Sequence, residues 1–203
     1  KKIENVGIIT HPGEITFGKL KTNQDNYFNY ELVNNYQYIG VCDGHGVDGH
    51  HVSEFIKDNL PEEFNSQLEK LIKQEKENLG IKTEEIKDDI ELRKKIEKMD
   101  NINQILTESF INTNSFAIAE CSMYDTENSG STCVSIFLHK LKANKLFIAN
   151  IGDSRAIIIK KIKDKYSCEQ LSRDHKPSEK DEAKRILEAG GEIQQIEDEN
   201  GNW

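Results

Sequence analysis

Apolar positions recur along this chain with two different periods, and the switches between them mark the elements. Residues 6–10 (VGIIT) read as a short strand, followed by a polar stretch punctuated by Gly13 and Gly18. Residues 27–30 are strand-like and Asn34-Asn35 reads as a turn. Residues 36–42 (YQYIGVC) form an aromatic and β-branched run that stops at Asp43. After the loop Asp43-Gly44-His45-Gly46 the period changes. Val52, Phe55, Ile56 and Leu60 fall on one face of a helix, which Pro61 ends or kinks. From 62 to 100 charge of both signs dominates. Phe64, Leu68, Leu71 and Ile72 keep a helical stripe as far as Gly80, and Ile86, Ile90, Ile96 and Met99 suggest a weaker second one. The stretch reads as a solvated helical insert, with a protein-binding helix as the alternative. Ile102, Ile105, Leu106, Phe110, Thr113 and Phe116 then define a stronger helix.

The second half turns to strand texture. Residues 132–138, 145–151, 155–162 and 167–171 are apolar runs joined by short polar turns. Parallel strands need long crossovers, so the short joins predict an antiparallel meander. Residues 178–189 read as a helix with Ser178 as N-cap, a buried stripe of Ala183, Ile186 and Leu187, and Gly190-Gly191 at its end. Strands, helices, strands and helix in that order predict an α+β layered domain.

Composition narrows the class. The 203 residues are 35% hydrophobic and 31% charged, enough apolar content for a core at this length. With 27 basic and 36 acidic residues the formal net charge is −9, which disfavours phosphate backbones and anionic lipid; nucleic acid and membrane surfaces are therefore not expected partners. No apolar run approaches the ~20 residues of a membrane span. The start, Lys1-Lys2-Ile3-Glu4-Asn5, has no signal-peptide core and no Met, so the chain is expected to be a processed or excised piece. Cys42, Cys121, Cys133 and Cys168 are far apart with no Cys-x-x-Cys pair, which predicts buried reduced thiols and a cytoplasmic setting, the nucleus remaining open.

The candidate chemistry begins at Asp43-Gly44-His45-Gly46. Asp supplies a hard oxygen ligand at a strand end, His a proton donor near neutral pH, and the glycines allow close approach of a backbone to an ion or phosphate. Read alone, the tetrapeptide fits equally well a turn whose Asp caps the next helix. An EF-hand loop from Asp43 to Glu54 fails, because His45, Val47 and Asp48 stand where oxygen, oxygen and Gly are required. His45, His50 and His51 make a poor zinc set, since adjacent helical histidines diverge. Asp25 in a polar loop and Asp153 at a strand corner are weaker candidates, and Arg155 could pair with Asp153. Ser129-Gly130-Ser131-Thr132 fits a plain turn or a backbone passing beneath a metal-site residue. No nucleophile elbow, phosphate loop or dinucleotide fingerprint is present in the sequence.

Five stretches in order resemble the metal-dependent type 2C protein serine/threonine phosphatases. They are 21–25 (KTNQD), 41–60 (VCDGHGVDGHHVSEFIKDNL), 129–132 (SGST), 146–155 (LFIANIGDSR), and 174–177 (DHKP) leading to 185–191 (RILEAGG). The resemblance implies an antiparallel β-sandwich flanked by helices, with Mg²⁺ or Mn²⁺ between the sheets: two ions, and a third in some members. Asp43 matches the metal-bridging aspartate, Gly44 a carbonyl ligand, Asp25 an aspartate holding metal-bound water, and Asp153 a third-metal residue. His45 matches the general acid, and Thr132 has a supporting position. The implied reaction is hydrolysis of phosphoserine or phosphothreonine proteins by water activated between the metals, without a covalent intermediate. Gln24 replaces a frequent Glu, and Lys19 or Lys21 stands near the usual phosphate-gripping arginine, as a point charge. The family's domain runs on past the position of Trp203 and carries two further metal aspartates there. Residues 1–203 are therefore expected to be the N-terminal portion of one such domain, with an insert at about 62–100, and to be a poor phosphatase alone. The alternative is a catalytically silent phosphatase-like interaction module in a larger assembly.

Overall fold

The computed structural model describes residues 6–194 apart from 16–17, 82–89, 122 and 143. Strand β1 (Asp25–Glu31) pairs antiparallel with β2 (Tyr36–His45), placing Asp25 opposite Asp43. Their connection turns on Asn34 and Asn35, at φ 55° and 60°, a left-handed region asparagine tolerates better than most side chains. Helices α1 (Gly49–Leu79), α2 (Ile90–Ile96) and α3 (Met99–Glu120) follow. Then come β3 (Gly130–Ser131), β4 (Cys133–His139) and β5 (Leu146–Ile151). The strands form one antiparallel sheet in the order β1-β2-β4-β5, with β3 alongside the end of β2. A separate antiparallel hairpin, β6 (Ile157–Ile162) with β7 (Lys165–Gln170), precedes α4 (Lys180–Glu188).

The core lies between the sheet and α1, α2 and α3. Tyr38 stacks on Phe64 of α1 with ring centroids 4.4 Å apart, Phe64 meets Phe137 at 5.0 Å, and Tyr36 stacks on Phe137 at 4.8 Å. The Tyr38 hydroxyl shares a 3.0 Å hydrogen bond with Ser135 Oγ, so the buried ring carries no unpaired polar group. Leu60, Phe64, Leu68 and Ile72 give α1 an inward stripe, and Ile102, Ile105 and Leu106 give α3 another.

Several expectations change. Residues 6–10 form no strand: none among the described residues lies beside them, and Ile9 is 94% exposed. β2 runs on to His45 because β3 pairs with Gly44 and His45. Helix α1 passes through Pro61. The ~3 kcal/mol such a proline costs is offset by packing, since Pro61 itself and the residues on both sides of it along the stripe are buried. Residues 62–79 are thus the second half of a helix whose apolar stripe reaches the core, not a wholly solvated one. In the weaker stripe Leu92 and Ile96 are the buried positions, while Ile90 and Met99 are exposed; Ile86 lies outside the described residues. Ala117, not Phe116, faces inward from α3. The meander is interrupted: β4 and β5 join the large sheet, and β6–β7 stands apart from it. Glu179, not Ser178, occupies the N-cap of α4, and none of its stripe is buried. Cys42, Cys121 and Cys133 are buried free thiols, but Cys168 on the two-stranded hairpin is exposed.

One buried acid makes folding sensitive to pH. Glu97 is buried, and desolvation pushes its carboxyl above the usual range, against the pull of Arg93, Lys145 and the Tyr36 hydroxyl, which donates to it at 3.4 Å. A carboxyl whose folded pKa is raised favours the folded state at low pH, and that advantage is lost as pH rises from the ordinary carboxylate range through the raised value. Glu97→Gln keeps the acceptor and removes the charge. Its melting temperature is expected to exceed the wild type's at pH 7 and to converge with it near pH 4, which thermal melts at the two pH values check.

Candidate active site

Strand period builds the site. At the end of β2, Cys42 and Gly44 are buried while Asp43 and His45 are exposed, so the two exposed side chains share one face. Asp25 is the cross-strand partner of Asp43 and projects from the same face. Lys21, Asp25, Asp43, Gly44 and His45 all line one cleft of about 580 Å³, with His11 and Gln24 on its wall. Gly13, Ile15 and Lys21 line one side, and the Lys21 N–H donates to the Gly13 carbonyl at 2.7 Å. Of the residues singled out from the sequence, Lys21, Asp25, Asp43, Gly44 and His45 are therefore gathered in one place.

The backbone of Asp43 is held at both ends by Thr132. The Asp43 N–H donates to Thr132 Oγ1 at 3.1 Å, and the Thr132 N–H donates to the Asp43 carbonyl at 2.9 Å. Thr132 Oγ1 also lies 2.6 Å from Ser154 Oγ. Ser129 Oγ accepts the Asp48 N–H at 3.0 Å, fixing the loop into α1. Gln24 braces the same loop from the other side. Its carbonyl accepts from the Gly44 N–H at 3.1 Å and from Ser53 Oγ at 2.6 Å, and its Nε2 donates to the Gly46 carbonyl at 2.9 Å. Of the two descriptions open for residues 129–132, the structure bears out the backbone passing beneath Asp43. The bracing by Gln24 and Ser129 has no signal in the sequence beyond small polar residues at strand ends.

Asp153 is not in the cleft lining but acts on it. The preceding Gly152 has φ 87°, and a Cβ there would stand 2.6 Å from Thr132 Cγ2, so the corner is pressed against the residue that holds Asp43. The Asp43 carboxyl is pushed above the usual range, first by desolvation, then by the charge of Asp25 and a hydrogen bond with it, then by Asp153; His45 opposes the shift. Arg155 does not pair with Asp153. It grips Asp174 instead, with Nε donating to Oδ1 at 2.8 Å and Nη2 to Oδ2 at 2.5 Å, and this holds the Asp174 carboxyl below its usual range. Asp153 faces Lys176, with Nζ 3.6 Å from its Oδ2.

Asp25, Asp43 and Asp153 present hard oxygen donors whose charges repel one another, which matches a divalent cation in kind. In number they fall short: among the described residues no three His, Cys, Asp or Glu side chains form a complete metal-binding group. The zinc set is not assembled either. The His50 and His51 rings pack against each other at 4.0 Å, and His51 stacks on Tyr124 at 3.9 Å.

A family model described as Protein phosphatase 2C matches residues 16–202. "Probable protein phosphatase 2C 65" of Arabidopsis thaliana is 31% identical over 185 residues, spanning 90% of this chain and 45% of that protein. "Probable protein phosphatase 2C 1" of the same plant is 32% identical over 188 residues, spanning 90% and 40%. The solved serine-threonine phosphatase 2C from Toxoplasma gondii superposes with a TM-score of 0.61 at 22% identity, over 83% of this chain and 49% of that one, a likeness of fold. The chain thus spans less than half the length of each of these relatives. Among the described residues no helix is long and apolar enough to cross a membrane. With a family model matched along nearly its whole length, the chain belongs to the protein phosphatase 2C family.

Proposed function

We propose that this chain is the N-terminal portion of the catalytic domain of a metal-dependent protein serine/threonine phosphatase. The observation that carries the reading is the gathering of Lys21, Asp25, Asp43, Gly44 and His45 in one cleft on a fold of this family. Asp43 and Gly44 would hold Mg²⁺ or Mn²⁺ directly, with the charges of Asp25 and Asp153 adding to the attraction for a cation. A bound divalent cation supplies activation of water and offsets charge on the phosphoryl oxygens. His45 gives a proton to the departing serine or threonine oxygen, a poor leaving group without it. Lys21 draws the phosphate into the cleft as a point charge. The substrates are phosphorylated proteins, and a cytoplasmic setting is supported by the three buried free thiols. A protein partner at residues 62–79 or on α2 would meet mainly charged outer faces, because Phe64, Leu68, Ile72, Leu92 and Ile96 are taken up by the core.

His45→Ala in the full-length protein tests the acid role. Hydrolysis of a phosphoserine peptide is expected to fall ~10²–10⁴-fold. An aryl phosphate is expected to lose far less, because a phenolate departs with little help. Equal losses on the two substrates would remove His45 from that role.

A further inference from the structure

A proton donor must sit within hydrogen-bond reach of the oxygen it serves. His45 is exposed, and among the described residues no hydrogen bond orients its ring. Its backbone, by contrast, is tightly fixed. β3 runs antiparallel to the end of β2, with Gly130 directly opposite His45 and Ser131 opposite Gly44. Beyond His45 the chain turns at Gly46, with φ 84°. A Cβ on Gly46 would stand 2.2 Å from the Asn128 carbonyl oxygen and 2.7 Å from Ser129 Cα, so the two backbones are pressed together here. Residues directly opposite on paired strands project from the same face. At position 130 there is no side chain, and the His45 ring takes up the space. A Cβ built on Gly130 would stand 2.9 Å from His45 Nε2 and 3.1 Å from its Cε1, inside the 3.4–4 Å of ordinary contact. The third-nearest atom, Cδ2 at 3.9 Å, belongs to the same ring. The obstacle at Gly44 is rigid backbone, whereas the obstacle at Gly130 is the movable end of one side chain.

We propose that Gly130 is a positioning residue for the proton donor: the bare backbone of β3 seats the His45 ring in a stance that any side chain at 130 would forbid. The proposal rests on the reading of His45 as the general acid of a phosphatase. A methyl group at 130 leaves the strand pairing in place and acts on the ring alone. The ring must withdraw from 2.9 Å to at least 3.4 Å, or swing to another rotamer. A misplacement of ~1 Å costs as much as ~10²-fold in rate. That loss falls on substrates whose leaving oxygen needs the proton, and spares those whose leaving group departs unaided.

The test is a double-mutant cycle in the full-length protein with Mn²⁺: Gly130→Ala, His45→Ala and the two combined, each assayed on a phosphoserine peptide and on p-nitrophenyl phosphate. Gly130→Ala is expected to lower kcat on the peptide ~10-fold or more and to change kcat on the aryl phosphate little. In the His45→Ala background the same alanine is expected to change neither rate, because its methyl group then meets no ring. Melting temperatures of Gly130→Ala and of the double variant are expected to match their parents. In the wild type a nuclear Overhauser effect is expected between the His45 ring and the Gly130 Hα protons, and the ring signals are expected to shift in Gly130→Ala. Equal losses on the two substrates overturn the proposal, as do equal losses with and without His45. So do a missing Overhauser effect and a Gly130→Ala protein that fails to fold in either background. A selective loss in His45→Ala with none in Gly130→Ala overturns this proposal alone. A His45→Ala variant that loses equally on both substrates overturns the acid reading, and the proposal with it.

Discussion

Asp43→Asn in the full-length protein is expected to abolish phosphopeptide hydrolysis while leaving the fold intact. A neutral amide would be a far poorer ligand than a carboxylate for the divalent cation that Asp43 is proposed to hold, and losing several kcal/mol of transition-state stabilisation costs about three decades of rate or more. The fold should survive because the side chain is exposed on the cleft face and the two hydrogen bonds to Thr132 run through the Asp43 backbone. The substitution also removes repulsion with Asp25 and Asp153, so the melting temperature of the metal-free protein should not fall. Initial rates on a phosphothreonine peptide, with melts of the same samples, check both halves. Near-normal turnover would remove Asp43 from the metal site.

Gly44→Ala is expected to damage stability and activity together. A Cβ at this position would stand 2.3 Å from the Gly49 carbonyl oxygen, 2.6 Å from its carbon and 2.7 Å from the Gln24 carbonyl oxygen. All three are backbone atoms, so no flexible side chain can give way. Overpacking of this kind costs ~1–3 kcal/mol or more, which for a chain of this size lowers the melting temperature by several degrees. The segments forced apart are the first turn of α1 and the approach to β1. They position Asp43 and Asp25, so the loss of turnover should exceed what the stability change alone produces. An unchanged melt and rate would show that the junction is looser than its geometry.

Where one face of an element is buried against another, its period was readable. The apolar run of β2 and the stripes of α1 and α3 are of this kind, and they locate the core. The readings failed where a periodic segment meets no partner among the described residues. Residues 6–10 and the stripe of α4 have the right residues, yet Ile9 and Leu187 are 94% and 59% exposed. Pro61 misled for the opposite reason, because packing along α1 outweighs a local helix breaker. Asp25, Asp43 and His45 were legible as motif residues, and their common face follows from the register of β1 on β2. What holds them was not legible. The Thr132 clamp on Asp43, the pairing of Arg155 with Asp174 and the approach of Lys176 to Asp153 join residues far apart in sequence, and only the tertiary fold brings them together.

The measurement that bears most directly on the metal-dependent phosphatase reading is phosphate release from a phosphothreonine peptide by the full-length protein, followed through EDTA treatment and readdition of Mn²⁺, with and without prior thiol alkylation. The predicted result is no hydrolysis in EDTA, recovery with Mn²⁺, and indifference to alkylation, because none of the four cysteines lines the cleft. Hydrolysis that persists in EDTA, or that is lost on alkylation while the fold is retained, would contradict the account.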